Sequence, residues 1–508
     1  MKSRRPFALA ACLALLGAWS AAAVWFFSER GWLLYYGDAE AHLNIARRLI
    51  DSQTPGYDQL GTVWLPLPHV LMLPLVRDDA WWRNGLAGAV PSAICFVVAG
   101  MFLFAAVRRV FDSTPAAAAA TALFALNPNL MYLQSIPMTE LAFFACLLAL
   151  LYFTLRFRVT QGWGSVAGAG VACCLGTLTR YEAWFLIPFV SLYFLIAAKR
   201  NRLAAAVTFS VLAGLGPLYW LAHNWWLTGD ALAFYRGPYS ARTIQGSTPY
   251  PGRENWWLAA KYFLTAVRLC AGSPLAWIGA LGVLGLIAGR TFWPALLLAL
   301  PGIFYLWSMH SGATPIFVPD LWPHSYYNTR YGLAALPLLA VAAGGLLRVL
   351  PERARRLAGV LLVAGGAAYW AVSPGPENWI TWKESQVNSE SRRQWAREAA
   401  DYLGPRFRPG SGLITSFGDM TAIYRQLGIP LRQTFTQDNG IPWDATVTRP
   451  DLLLWQEWAV VAGGDPVQSG INRAGRYGIR YRLEKSIVTK GAPVIEIYRR
   501  IGGGHGSA

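Results

Sequence analysis

Apolar runs of about twenty residues recur along this chain, and nothing constrains its fold more than they do. A helix of that length crosses the hydrocarbon core of a bilayer with its backbone hydrogen bonds closed internally. Eleven such segments stand out, at 6–27, 83–107, 115–133, 138–157, 163–179, 183–198, 203–222, 274–289, 291–309, 331–350 and 356–373. The third is interrupted by Asn127-Pro128-Asn129. The stretch "WLPLPHVLMLPLV" (64–76) is too short and too proline-rich to span, and reads as a re-entrant or interfacial piece. Only 14% of the 508 residues are charged, against about 25% in soluble proteins.

Loop charges set the expected orientation. Arg108 and Arg109, Arg156 and Arg158, Lys199, Arg200 and Arg202, then Arg290, then Arg348, Arg353, Arg355 and Arg356 fall in alternate turns, and Lys2, Arg4 and Arg5 open the chain. Short cytoplasmic loops carry the excess of Lys and Arg. The N-terminus is therefore expected in the cytoplasm and the segment after the eleventh span outside it, in the cell inner (plasma) membrane. The net charge of +17 is a topology signal in this distribution, and no nucleic-acid partner is expected. The first segment reads as an uncleaved anchor, because "VWFFSER" offers no small-residue cleavage site.

The opposite side collects the polar signals. Residues 28–82 hold Asp38, Glu40 and His42. The turn "SIPMTE" ends in Glu140, "TLTRYEAW" carries Arg180, Tyr181 and Glu182, the loop 223–273 begins "HNWWLTGD", and "HSYYNTRYG" carries Arg330 and Tyr331. Charge at a span end is costly unless it is paired or functional. Glu140 either caps the fourth span or lines an acceptor cleft, and Arg180 and Glu182 are either a structural pair or part of a site. His42, Tyr181 and Tyr331 complete the candidates for a substrate cleft. The Trp residues mostly suit an interfacial belt, although "NWW" at 224–226 and the Trp pair at 256–257 also suit stacking on sugar.

From 374 the composition changes, dividing the chain into a membrane module (1–373) and an extracytoplasmic α/β domain (374–508). A helix is expected over 385–404 and β-like runs at 412–417, 458–463, 481–489 and 493–498. Asp419 is expected to cap the helix begun by "MTAIYRQL", and "GGGHGSA" to be a flexible tail. Five cysteines lie in apolar spans and Cys270 near a span start, so no disulfide framework is expected. His42, His69, His223, His310 and His324 lack ligand spacing, and no metal site is assigned. Gly-rich phosphate loops of nucleotide-binding type are absent. The fold class expected is thus a polytopic α-helical membrane protein of about 11 transmembrane helices with a small C-terminal α/β extracytoplasmic domain.

Asp38 admits two readings. It can be the N-cap of a helix with Leu43, Ala46, Leu49 and Ile50 on one face, with Glu40 a first-turn acid favoured by the helix dipole. A partly desolvated carboxylate at a membrane lip is also a candidate general base. An alcohol attacking an activated sugar needs such a base. If a lipid phosphate leaves, a cation must hold it, and Arg does so bidentately. Arg180 and Arg330 lie on the matching side.

The motifs "YGDAEAHLNIARRL", "WLPLPHVLMLPL", "LNPNLMYLQSIPMTELAFF", "GTLTRYEAW" and "NTRYGLAALPLL" occur in that order over roughly residues 1–345. In this ordered set the chain resembles the C-type glycosyltransferase superfamily, nearest the family-39 group of protein O-mannosyltransferases and bacterial aminoarabinose transferases. The resemblance implies an inverting transfer from a polyprenyl-phosphate sugar to a hydroxyl of a protein, lipid or glycan acceptor outside the cytoplasm. It puts Asp38 on the catalytic acid position and makes Arg330 and Arg180 donor-phosphate ligands. Many members carry adjacent acids, whereas here Ala39 separates Asp38 from Glu40. No cofactor is required by this reading. A divalent metal fits the alternative of an oligosaccharyltransferase or O-antigen ligase. A transporter would more often carry inverted repeats and broken helices with midplane polar groups, and neither is seen in the sequence.

Overall fold

The computed structural model describes residues 4–372, 375–416 and 420–501, with side chains from residue 8 onward. The expected cap at Asp419 and the tail from 502 lie outside the described residues. The chain divides into two compact units. One comprises Met1–Trp32, Thr62–Pro68 and Ala89–Glu384, the other Leu33–Gly61, His69–Gly88 and Ser385–Ala508.

The first unit is helical. Among the described residues, six helices are long and apolar enough to cross a membrane: Ala8–Glu29, Leu86–Phe111, Glu140–Thr160, Arg202–Thr228, Phe292–His310 and Thr329–Val349. Two bent pairs raise the number to eight if each is one span. The protein is thus an integral membrane protein by length and composition. The eleven-span count is finer than these helices support. Trp163–Thr177 and Glu182–Ala197 are apolar but short. Glu352–Val372 opens on the charged run "ERARR".

Both bends have a local cause. Thr114–Ala125 and Pro128–Gln134 meet at 69°. Pro128 forces the residue before it out of the helical region, and the Asn127 side chain caps the new helix by accepting from Leu130 N–H at 3.1 Å. Trp256–Ala271 and Ser273–Ala288 meet at 114° across Gly272, whose φ is +83°. The sequence places 256–271 in a long external loop, but it is an apolar helix interrupted by Lys261 and Arg268. Small residues let these helices approach closely. A Cβ on Gly332 would lie 2.4 Å from the Ala266 backbone.

The second unit is an α/β sandwich. β1 (Leu413–Thr415), β2 (Thr434–Phe435), β3 (Trp458–Ala462), β4 (Arg480–Ile487) and β5 (Ile495–Ile501) form one sheet in the order β2-β1-β3-β5-β4. β2, β1 and β3 are parallel, and β5 and β4 add antiparallel. Period-two alternation assigns the faces. Leu413, Trp458 and Val460 pack with Trp395, Ala399, Ile423 and Tyr424. Ile414, Ala459 and Val461 pack with Trp443, Val467 and Ile471.

The first of those two cores also contains Leu43, Ala46, Met72, Val76 and Trp82. The acidic loop after the first span is therefore built into the same unit as the C-terminal sheet. The boundary expected from composition, 1–373 against 374–508, differs from this division. Composition averages along the chain, whereas the apolar stripe of 33–88 finds its cover more than three hundred residues away.

Candidate active site

The acidic helix runs Gly37–Arg48, two residues earlier than a cap at Asp38 requires. Its N-cap is Tyr36, which makes no side-chain capping bond. Asp38 lies in the first turn, half-buried, and Glu40 is buried. Glu40 is ion-paired with Arg425 at 2.7 Å, with Arg392 at 3.9 Å from its other oxygen. Arg392 also donates to Tyr35 O at 2.9 Å. Gly37 makes room for that arginine, since a Cβ there would lie 2.7 Å from Arg392 Nη1. The two acids of the loop thus differ in exposure. Glu40 is neutralised inside the unit, and Asp38 keeps partial access to solvent.

His42 is buried beside them. Its Nδ1 lies 2.9 Å from Nε2 of His69, which is fully buried. Burial pushes the His69 pKa well below the usual histidine range, and the neighbouring His42 and Arg48 add to the shift. Two further charges fasten the loop. Arg47 donates to Asp51 at 2.8 Å, and Asp51 pairs with Arg432 at 2.9 Å.

The other candidates meet in the first unit. Arg180 Nε donates to Glu182 Oε1 at 2.7 Å, its Nη1 to Glu140 Oε1 at 3.0 Å, and its Nη2 to the Tyr305 hydroxyl at 2.5 Å. The Tyr305 hydroxyl in turn donates to Glu182. Arg330 reaches the same Glu140 oxygen at 3.2 Å and Glu384 at 3.3 Å. Glu384 also accepts from the backbone N–H of Asn328 and Thr329, at 3.0 and 2.7 Å. Tyr331 stacks on Tyr305 at 4.3 Å, with Arg180 and Arg330 at 5.5 and 5.2 Å from its ring centroid. Glu140 is not a cap, for Thr139 holds that position. Its Oε2 is buried with no hydrogen-bond partner among the described residues.

This cluster holds two guanidiniums and three carboxylates, and both arginines are already engaged. Tyr181 stands apart from it. It donates to Val63 O at 2.7 Å, accepts from Trp220 at 3.0 Å and stacks on Phe234. Sequence reasoning missed Glu384, Tyr305, Arg392 and Arg425. Arg425 alone left a trace, as a cation beside the buried Thr421, Ala422, Ile423 and Tyr424. Among the described residues no group of three or more His, Cys, Asp or Glu side chains is placed to hold a metal ion.

A sequence model of the family described as dolichyl-phosphate-mannose-protein mannosyltransferase matches residues 82–226. No curated protein sequence matches the chain. Among solved structures, ArnT from Cupriavidus metallidurans bound to undecaprenyl phosphate has a TM-score of 0.60 at 14% identity, over 94% of this chain and 97% of that one. The apo form of that ArnT gives 0.57 at the same identity and coverage. The Archaeoglobus fulgidus oligosaccharyltransferase in complex with Zn and sulfate gives 0.48 at 15%, over 89% of this chain and 68% of that one. The chain thus shares the fold of that ArnT, and the family match covers 82–226, less than half of its length.

Proposed function

We propose that the protein is an inverting glycosyltransferase that moves a sugar, of hexosyl and most simply mannosyl type, from a polyprenyl-phosphate donor to a hydroxyl acceptor on the extracytoplasmic face. The acceptor oxygen forms the new bond to the anomeric carbon as the carbon–phosphate oxygen bond breaks. Asp38 takes the acceptor proton, and the lipid phosphate leaves with the bonding electron pair. The match to a mannosyltransferase family and the fold shared with an undecaprenyl-phosphate-bound ArnT support the donor class.

One observation carries the choice of base. Glu40 is buried and ion-paired, while Asp38 two residues earlier retains exposure. A base must come within hydrogen-bond reach of the acceptor hydroxyl, which a half-buried carboxylate allows and a buried one does not. Arg330 and Arg180 are the proposed phosphate ligands. Their present partners mean that the donor phosphate competes with Glu140 for the same two guanidiniums.

Asp38→Asn tests the base. It keeps the shape and the first-turn dipole of the side chain and removes basicity. Turnover should fall by about 10²–10⁴-fold, with thermal stability and donor binding near wild type. Full turnover in this variant would dismiss Asp38 as the base.

A further inference from the structure

Two adjoining depressions in the first unit remain outside this chemistry. One is a shallow apolar groove lined by Leu123, Leu126, Leu275, Val363, Gly366 and Ala367. The other is a polar cavity of about 190 Å³ lined by Arg268, Ser273, Tyr326, Glu377, Asn378 and Lys383. They share Tyr369 and Trp370 as a wall. That wall is pinned on the helix break, since a Cβ on Gly272 would lie 2.9 Å from the Tyr369 ring. One water needs ~10–15 Å³ by a comparable measure, so the polar cavity has room for a far larger polar group.

The groove is formed by the helices Thr114–Ala125, Ser273–Ala288 and Glu352–Val372, all apolar in their facing turns. The polar cavity gathers residues at and beyond the ends of those helices. An apolar trough leading into a small charged cup has the shape of a lipid site, with a tail in the trough and a headgroup in the cup.

The signs of charge select the headgroup. Arg268 pairs with Asp320, and Lys383 pairs with Glu377. The cup therefore offers both signs, with Glu377 the more exposed partner at 61% against 26% for Lys383. A phosphate between Arg268 and Lys383 makes charge-assisted bonds. A purely anionic lipid would then meet Glu377 with nothing to neutralise it. A headgroup that carries its own ammonium outward satisfies both.

We infer that the Tyr369–Trp370 wall, with the apolar groove on one side and the Arg268–Lys383–Glu377 cup on the other, forms a binding site for a zwitterionic phospholipid of the phosphatidylethanolamine class. The site is separate from the residues assigned to transfer.

Purified full-length protein, stripped of lipid in detergent, is offered phosphatidylethanolamine, phosphatidylglycerol or a polyprenyl monophosphate, and retained molecules are counted by native mass spectrometry. One phosphatidylethanolamine per chain should be retained about tenfold more strongly than the other two, the scale of one charge-assisted bond. Arg268→Gln with Lys383→Gln should abolish retention. Ala367→Phe, which fills the groove at an exposed position, should do the same with an unchanged melting temperature. Glu377→Gln should keep a lipid but erase the preference over phosphatidylglycerol. Soluble glycerophosphoethanolamine should compete only weakly, since it lacks the tail. Equal retention of the two phospholipids by the wild type, preference for the polyprenyl phosphate, competition by the soluble headgroup as strong as by the lipid, or retention indifferent to the double variant and Ala367→Phe would each overturn the assignment. Turnover is not read in any arm, so the outcome is independent of the transferase proposal.

Discussion

At the scale of single residues, like side chains are set apart by their surroundings. Asp38 and Glu40 are both first-turn acids, yet Glu40 is buried against Arg425 and Asp38 is half-buried. Glu140 illustrates the same point in the other unit. It carries one oxygen shared by two guanidiniums and one with no partner among the described residues. If the donor phosphate displaces it, Glu140→Gln should tighten donor binding by about tenfold, as removal of a ~1.4 kcal/mol repulsion would. Equilibrium binding of a non-transferable donor analogue measures this, and unchanged or weaker binding would return both arginines to a structural role. His69 makes a pH prediction. Its folded-state pKa lies well below the ordinary 6.5, so the unfolded chain takes up the proton first as pH falls. The contribution of the neutral form is complete above about 6.5 and is lost on acidification below it. His69→Gln should therefore flatten the fall of the melting temperature between about pH 7.5 and about pH 5.5 relative to wild type. Parallel curves would show that another group sets that slope.

At the scale of elements, the acidic helix is held by apolar packing and by buried charge. Trp82 is almost wholly buried, donates to Asn44 Oδ1 at 3.1 Å and packs in the core that the sheet shares. Trp82→Ala should cost about 3–5 kcal/mol, seen as early cleavage within the second unit in limited proteolysis. The Glu40–Arg425 pair is 5% and 10% exposed, so removing one partner strands the other. Glu40→Leu alone should cost about 3–5 kcal/mol, and adding Arg425→Met should recover most of it. If the double variant is no more stable than the single one, the pair is not what fastens the helix. Much of this layer was legible in part. The strand starting at Trp458 lies within a residue of its expected run and the one ending at Ile487 within two, whereas β2, two residues long, had no pattern to read.

At the scale of the whole molecule, topology is the prediction on which the functional proposal stands. Basic residues alternate between turns, so a reporter active only outside the cytoplasm, fused at the C-terminus, should be active. Activity of a cytoplasm-only reporter at the same position would place the sheet domain on the wrong side for a polyprenyl-phosphate donor used outside the cell interior. The number of spans bears directly on this, and six to eight helices among the described residues meet the length and apolarity required.

Local chemistry determined what was visible in the sequence alone. Apolar length marked the spans, because a backbone in lipid must satisfy itself within one segment. The Asn-Pro-Asn interruption at 127–129 marked one bend, whereas the bend at Gly272 fell inside what read as a loop. Pairing across long separations was decided only by tertiary structure. Nothing near Glu40 in the sequence announces Arg425, nothing near Arg330 announces Glu384 beyond its charge, and the apolar stripe of 33–88 does not name the sheet that covers it. Burial makes an ion pair specific, but burial is a property of the folded chain, so the difference in exposure between two acids two residues apart emerges only once their surroundings exist.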